Sequence, residues 1–176
     1  MVELGHRLGV RPVIAGGREA WKVAGLLAAH DVPVLLGPVL SNPSERHDPY
    51  DASFAGAAVL ARAGVRFAFQ TASSSNARNL PDHAGMAAAY GLSPDVALAA
   101  ITLRPAEIFG LDGDLGSLEV GKIADVVIAD GDLLEVTTNV ERVFIHGREV
   151  SVESKQTRLY EKYMKRITDR PPAGTR

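Results

Sequence analysis

Three times between Arg11 and Gly91 an apolar, β-type run gives way to a helical pattern, and this succession limits the fold more than any other feature of the chain. The first unit is "RPVIA", Arg11 to Ala15, ending in Gly16-Gly17; Glu19, Ala20, Val23, Ala24, Leu27 and Ala28 then recur at amphipathic-helix spacing. In the second, Val32 to Leu40 is continuously apolar, as a strand covered on both faces would be. The polar loop "SNPSERHDPYD" and a helical pattern over Phe54 to Ala63 follow it. The third opens with Val65 to Phe69, and its helix is predicted from Asn76 through Ala84, Ala87, Ala88 and Tyr90, closed by Gly91. Strand-helix units in series imply parallel strands with right-handed crossovers, hence an α/β fold.

Beyond Gly91 the pattern changes. Ser93 is placed to cap a helix with its hydroxyl and Pro94 to occupy the first helical position, where its missing N–H costs nothing. Val96, Ala99, Ala100 and Leu103 form the buried stripe of that helix, and Pro105 starts a shorter one that Gly110 ends. A strand is predicted over Ala124 to Ala129, then a hairpin of Val140 to Ile145 with Arg148 to Val152 around His146-Gly147. Lys155 to Ile167 places Leu159, Tyr163 and Ile167 on one side and basic residues on the other, a surface helix followed by the tail "DRPPAGTR".

A chain of 176 residues can withdraw roughly 70% of its unfolded surface from water. With 46% hydrophobic and 23% charged residues and a net charge of −2, neither nucleic acid nor an anionic membrane is an expected partner. The chain has no cysteine, which removes disulfides, thiolate nucleophiles and Cys-type zinc sites. The longest apolar run is broken by Pro33, Gly37 and Pro38 and is well short of the ~20 residues that span a bilayer. No leader pattern is read at the start, and a cytoplasmic location is expected. "VELGHRLGV" reads as the last turn of a helix closing at Gly9, so a missing beginning is expected as well.

Gly91 to Asp132, "GLSPDVALAAITLRPAEIFGLDGDLGSLEVGKIADVVIADGD", resembles the C-terminal signature of the amidohydrolase superfamily. The resemblance lies in an ordered set: the helix pair "ALAAITLRPAEIFGL", the entry "LGSLEVGKIADVVIADGD" into a small β-domain, and its closing hairpin "VERVFIHGREV". It extends upstream through "ARNLPDHAGMAAAYGL" and is nearest to the imidazolonepropionase-like and prolidase-like branch. The resemblance implies a metal-dependent-hydrolase TIM barrel beside a composite β-sandwich. Since a full barrel takes ~250 residues, it places residues 1–110 as barrel strands six to eight with their following helices. Residues 111–153 become the C-terminal share of the sandwich, and 154–176 a helix and tail.

Members of the superfamily hydrolyse amide, cyclic amide or related C–N bonds with one or two divalent metals such as zinc, which acidify a bound water and polarise the carbonyl. The resemblance puts a histidine ligand after the sixth strand, where this chain has Ala15 and Gly16, and a metal-binding Asp after the eighth, where "QTAS" supplies Ala72 between Thr71 and Ser73. No metal ligand and no catalytic residue is therefore assigned in this chain. Candidates for substrate contact are His47, in the loop containing Asp48 and Asp51; His83, beside Asp82 in the first turns of a helix; and Ser73 and Asn76 after the third strand. Each has a structural reading beside the functional one: solvated turn, helix capping, or free-amide capping. The glycines before Arg18 are placed to hold an anion but lack a dinucleotide fingerprint. Asp125, Asp130 and Asp132 are read as turn and strand-edge groups, and a serine or histidine hydrolase using Ser73 or His83 has no nucleophile–base spacing to support it. The expected function is that of a C-terminal part of an amidohydrolase, inactive alone, whose partner is the N-terminal half or a second copy and whose substrate, if active, is a small molecule. The alternative is a non-catalytic binding or scaffold protein on the same fold.

Overall fold

The computed structural model describes Gly5 and residues 7–169. β1 (Ile14–Gly16) leads through a 3-10 turn, Ala20–Val23, into α1 (Ala24–Ala29). β2 (Val34–Leu36) is followed by α2 (Ala52–Arg62), and β3 (Phe67–Phe69) by a 3-10 turn, Ser74–Asn79, and α3 (Leu80–Ala89). Next come α4 (Pro94–Ala99), α5 (Leu103–Phe109), β4 (Val126–Ala129), β5 (Val140–Ile145), β6 (Arg148–Val150) and α6 (Lys155–Thr168).

β1, β2 and β3 form a parallel sheet in that order, with Ile14 beside Val34 and Val34 beside Phe67. The expected strands are present but shorter. Pro12 and Pro33 have no N–H to give a ladder, so β1 and β2 begin just after them; the Ile14 N–H donates to the Pro33 carbonyl at 3.0 Å and the Val34 N–H to that of Arg66 at 3.0 Å. β3 is buried on both faces, its two phenylalanine rings meeting edge to face at 5.6 Å. Its Phe69 N–H donates to the Ala100 carbonyl at 3.0 Å, so the helix pair covers one side of the sheet, while β1 pairs with β2 alone.

The core gathers around Leu27, Val34, Val39 and Leu60, the largest fully enclosed side chains. Ala57, Ala84, Ala87, Ala97 and Ala100 are fully buried with them. Alanine on the inward faces of α2, α3 and α4 lets these short helices approach closely, because no longer side chain holds them apart.

Several helix starts differ from expectation: the helix read from Glu19 becomes α-helical only at Ala24, behind a 3-10 turn, and the one read from Pro105 starts at Leu103. The α-helix predicted from Asn76 begins at Leu80, because Pro81 is tolerated only in a first turn and the segment before it winds as 3-10 instead. Pro94 takes the first turn of α4 as expected, and Ser93 before it is extended, but the Ser93 hydroxyl makes no capping bond. The side-chain cap appears elsewhere, at α6, where the Ser154 hydroxyl accepts from the Thr157 N–H and the Thr157 hydroxyl accepts from the Ser154 N–H. Gly110 ends α5 at φ +70, a conformation open to glycine, and lets the Leu111 N–H close on the Ala106 carbonyl at 2.8 Å.

β4, β5 and β6 make an antiparallel sheet in which Val127, Val143 and Val150 stand in one row. The turn at His146-Gly147 has φ +50 and +74, as a two-residue hairpin requires. α6 follows four residues later, and none of its residues is buried. Among the described residues no helix is long and apolar enough to cross a membrane.

Candidate functional site at the strand ends

The carboxyl ends of β1, β2 and β3 open into three loops, the face on which parallel α/β folds place chemistry. Two cations tie the loop after β2 to the unit before it. The Arg18 guanidinium donates to the Asn42 carbonyl at 2.6 Å, and the Lys22 ammonium pairs with Asp48 at 2.8 Å and with Glu19 at 2.5 Å. The hydrogen bond from Lys22, assisted by the Glu45 N–H, holds the Asp48 carboxyl below its ordinary value, and Asp48 in turn raises Lys22. This strap positions the loop on which His47 lies exposed.

Beneath the same loop lies His83. On α3 and only 4% exposed, it turns its Nδ1 toward the start of the loop and accepts the Val39 N–H at 2.9 Å and the Leu40 N–H at 3.3 Å. Nδ1 must therefore be the unprotonated nitrogen, and burial pushes the imidazole below its ordinary value. The expectation of capping at the start of α3 is replaced by a packed acceptor contacting a loop 44 positions upstream in sequence. Nothing in "LPDHAG" signals that contact, because the partner groups are backbone amides and leave no side-chain pattern.

After β3 the chain turns sharply at Ala72, whose φ of +55 is rare for a residue with a Cβ. Ser73 is exposed, its hydroxyl 2.8 Å from that of Ser75, while its carbonyl accepts from the Thr71 hydroxyl at 3.0 Å and the Asn76 N–H at 3.1 Å. Asn76 is exposed in the same turn. Ser73 and Asn76 are thus brought together, whereas no hydrogen bond among the described residues joins their side chains to His47 or His83. Left-handed backbone costs a non-glycine residue roughly 1–2 kcal/mol, so Ala72→Gly is expected to raise the urea midpoint by an amount equivalent to about 1 kcal/mol. A lowered midpoint would show that the alanine methyl is worth more than the relief of its backbone.

The metal chemistry associated with such a strand-end face needs imidazoles and carboxylates converging on one point. Ala15 and Gly16 close β1 and Thr71, Ala72 and Ser73 follow β3, so these positions offer one hydroxyl-bearing turn and no strong ligand. Among the described residues no three His, Asp or Glu side chains are grouped to hold an ion. At these strand ends the described residues do not make up a metal site. The aspartates that look clustered in sequence have turn duties instead. Asp125 accepts the His146 N–H at 2.7 Å, Asp130 accepts the Asn139 N–H and side-chain amide at 2.8 and 2.9 Å, and Asp132 accepts the Leu134 N–H at 2.9 Å.

Comparison with known proteins agrees with this architecture. The amidohydrolase family model matches residues 44–150. An imidazolonepropionase of Symbiobacterium thermophilum is 58% identical over 38 residues, 22% of this chain and 9% of the relative. The crystal structure of an amidohydrolase from Thermotoga maritima superposes with a TM-score of 0.75 at 31% identity, covering 85% of this chain and 39% of that one. A zinc-bound adenosine deaminase from Xanthomonas campestris shares the fold at 22% identity and a TM-score of 0.59, over 93% of this chain and 44% of its own. The chain thus spans about two fifths of the length of these solved relatives. With the family model extending from the loop after β2 to the last strand of the small sheet, over more than half of the sequence, the chain belongs to the amidohydrolase family.

Proposed function

We propose that this chain supplies the C-terminal strand-helix units and the small sheet of a protein that hydrolyses C–N bonds in amides or cyclic amides, and that it is inactive alone. Residues 1–110 serve as the partial barrel, 111–153 as its share of a composite sandwich, and 154–176 as a helix and tail. One observation supports the reading: Ala15-Gly16 and Ala72 stand at the strand ends where the amidohydrolase resemblance puts an imidazole and a carboxylate. The substrate is a small molecule, the divalent ion and the water it activates are held by residues outside this chain, and the location is the cytoplasm. What this chain adds at the strand ends is shape and hydrogen bonding, through the strapped loop carrying His47, the Ser73-to-Asn76 turn, and His83 beneath the loop.

The purified chain should show no turnover of a panel of N-acyl amino acids, dipeptides and cyclic imides, with or without added zinc, and should retain less than a tenth of an equivalent of zinc after gel filtration. Zinc-dependent hydrolysis by this chain, removed by a chelator and restored by the ion, would overturn the reading.

A further inference from the structure

The turn that leaves β2 is held by a group that changes its hydrogen-bonding sense near neutral pH. We propose that protonation of His83 frees residues 38–41 from α3 while β2 and the rest of the loop stay fastened, so that mild acid loosens one wall of the strand-end face. Neutral, the imidazole accepts the Val39 and Leu40 N–H groups at a single nitrogen, Nδ1. Protonated, it has two donors and no acceptor. Two N–H groups then face a third, and the contact that holds the turn becomes a repulsion.

The surroundings of the turn confine its release. Before it, Gln70 fastens β2, its N–H donating to the Leu36 carbonyl at 2.8 Å and its side-chain amide to the Leu35 carbonyl at 2.9 Å. After it, the Asn42 carbonyl accepts from Arg18 at 2.6 Å and from the Ser53 hydroxyl at 3.2 Å, and Lys22 holds Asp48. Between these anchors the turn is closed on itself, the Ser41 N–H donating to the Val39 carbonyl at 2.8 Å and the Ser41 hydroxyl to the Pro38 carbonyl at 2.9 Å, so it parts from α3 as one piece. A cavity of about 10 Å³, on the order of one water, lies against it beside Arg18, Gly37 and Ser53 and leaves it room to shift. The anchors do not titrate with the ring, since the Asp48 carboxyl ionises below its ordinary value of 3.8.

α3 packs on α2, α4, β3 and the 3-10 turn before it, and at Gly85 on the backbone of Leu134. The charged residues these elements bring are Arg62, Asp95, Arg78, Asp132 and Glu135, and the loop itself has Glu45, Arg46, His47, Asp48 and Asp51. Among the described residues Asp82, on α3 itself, is the one whose charge bears on the ring. It favours the proton less than burial opposes it, so release falls below pH 6.5.

The test is hydrogen exchange of the full chain, followed amide by amide and corrected for the intrinsic pH dependence of exchange. Once the turn is open the ring takes up a proton near its ordinary 6.5, so protection at Val39 and Leu40 should fall about tenfold from pH 7.5 to 5.5. In His83→Gln, whose side chain can accept but does not titrate, it should change by no more than about twofold. Because this opening exposes little surface, low urea should leave these two rates unchanged while it speeds exchange at Phe69, whose N–H is bound to the Ala100 carbonyl. Nitrogen NMR of the parent chain should place the imidazole proton on Nε2 at pH 7.5. Protection that is independent of pH, an equal fall in His83→Gln, a urea dependence matching that of Phe69, or a ring protonated on Nδ1 at pH 7.5 overturns the inference. None of these outcomes bears on the hydrolase reading, which is decided by turnover and metal content.

Discussion

His83→Ala is expected to remove about 3 kcal/mol of stability, a large fraction of the total for a domain of ordinary stability. Two losses combine. The Val39 N–H, pointing at Nδ1 from a residue only 1% exposed, is left without an acceptor, at a cost of roughly 1–3 kcal/mol. Loss of the ring also opens a hole at a position only 4% exposed. His83→Gln, which keeps an acceptor at similar reach, should recover part of the loss. Urea unfolding gives the first number, and hydrogen exchange at the Val39 and Leu40 amides should speed up before that of β2. Unaltered protection of those two amides in His83→Ala would show that the imidazole is not their acceptor.

The same contact sets a pH dependence. Burial lowers the imidazole below its ordinary value of 6.5, with the neighbouring Asp82 carboxylate opposing this weakly. Below about pH 6.5 the unfolded chain takes up a proton that the folded chain resists, so stability present at neutral pH is lost as pH falls, by up to about 1 kcal/mol per unit. The parent chain should lose this share between pH 7.5 and 5.5, and His83→Gln should not. Equal pH slopes in the two proteins would remove His83 as the origin.

How far sequence reached can be judged at particular residues. Alternation of apolar run and helical pattern located β1, β2 and β3, because burial on both faces writes itself as continuous hydrophobicity, visible at Val34 to Leu36 and Phe67 to Phe69. Gly110 marked its helix end because only the backbone decides there. The ends of strands were less legible: Pro12 and Pro33 are apolar and extend a hydrophobic run, yet cannot extend a ladder. In the candidate site, that Thr71, Ala72 and Ser73 carry no acid could be read directly, being a matter of residue type. The His83 contact could not, since a backbone amide presents the same donor in every sequence, nor could the Lys22–Asp48 strap, whose partners lie 26 positions apart, one in a 3-10 turn and the other in an aperiodic loop.

Gly37→Ala is expected to cost at least about 3 kcal/mol, and to do so by separating β2 from β3 rather than by bending one turn. Gly37 has φ +144, outside the range that side-chain-bearing residues adopt, and a methyl group on its Cα would overlap the Gln70 carbonyl oxygen. That carbonyl cannot swing away freely. The Gln70 N–H donates to the Leu36 carbonyl at 2.8 Å and the Gln70 side-chain amide to the Leu35 carbonyl at 2.9 Å, fastening the exit of β3 to that of β2. Relief of the overlap therefore breaks at least one of these bonds in a part-buried place, and shifts Val39 away from its His83 acceptor. Gly64→Ala separates the two causes: at φ +78 it has the backbone strain without the collision, since nothing lies within 4 Å of where the methyl would go. It should cost only roughly 1–2 kcal/mol. Equal losses in the two variants would mean that backbone conformation alone makes Gly37 necessary, and that the close approach to Gln70 contributes nothing.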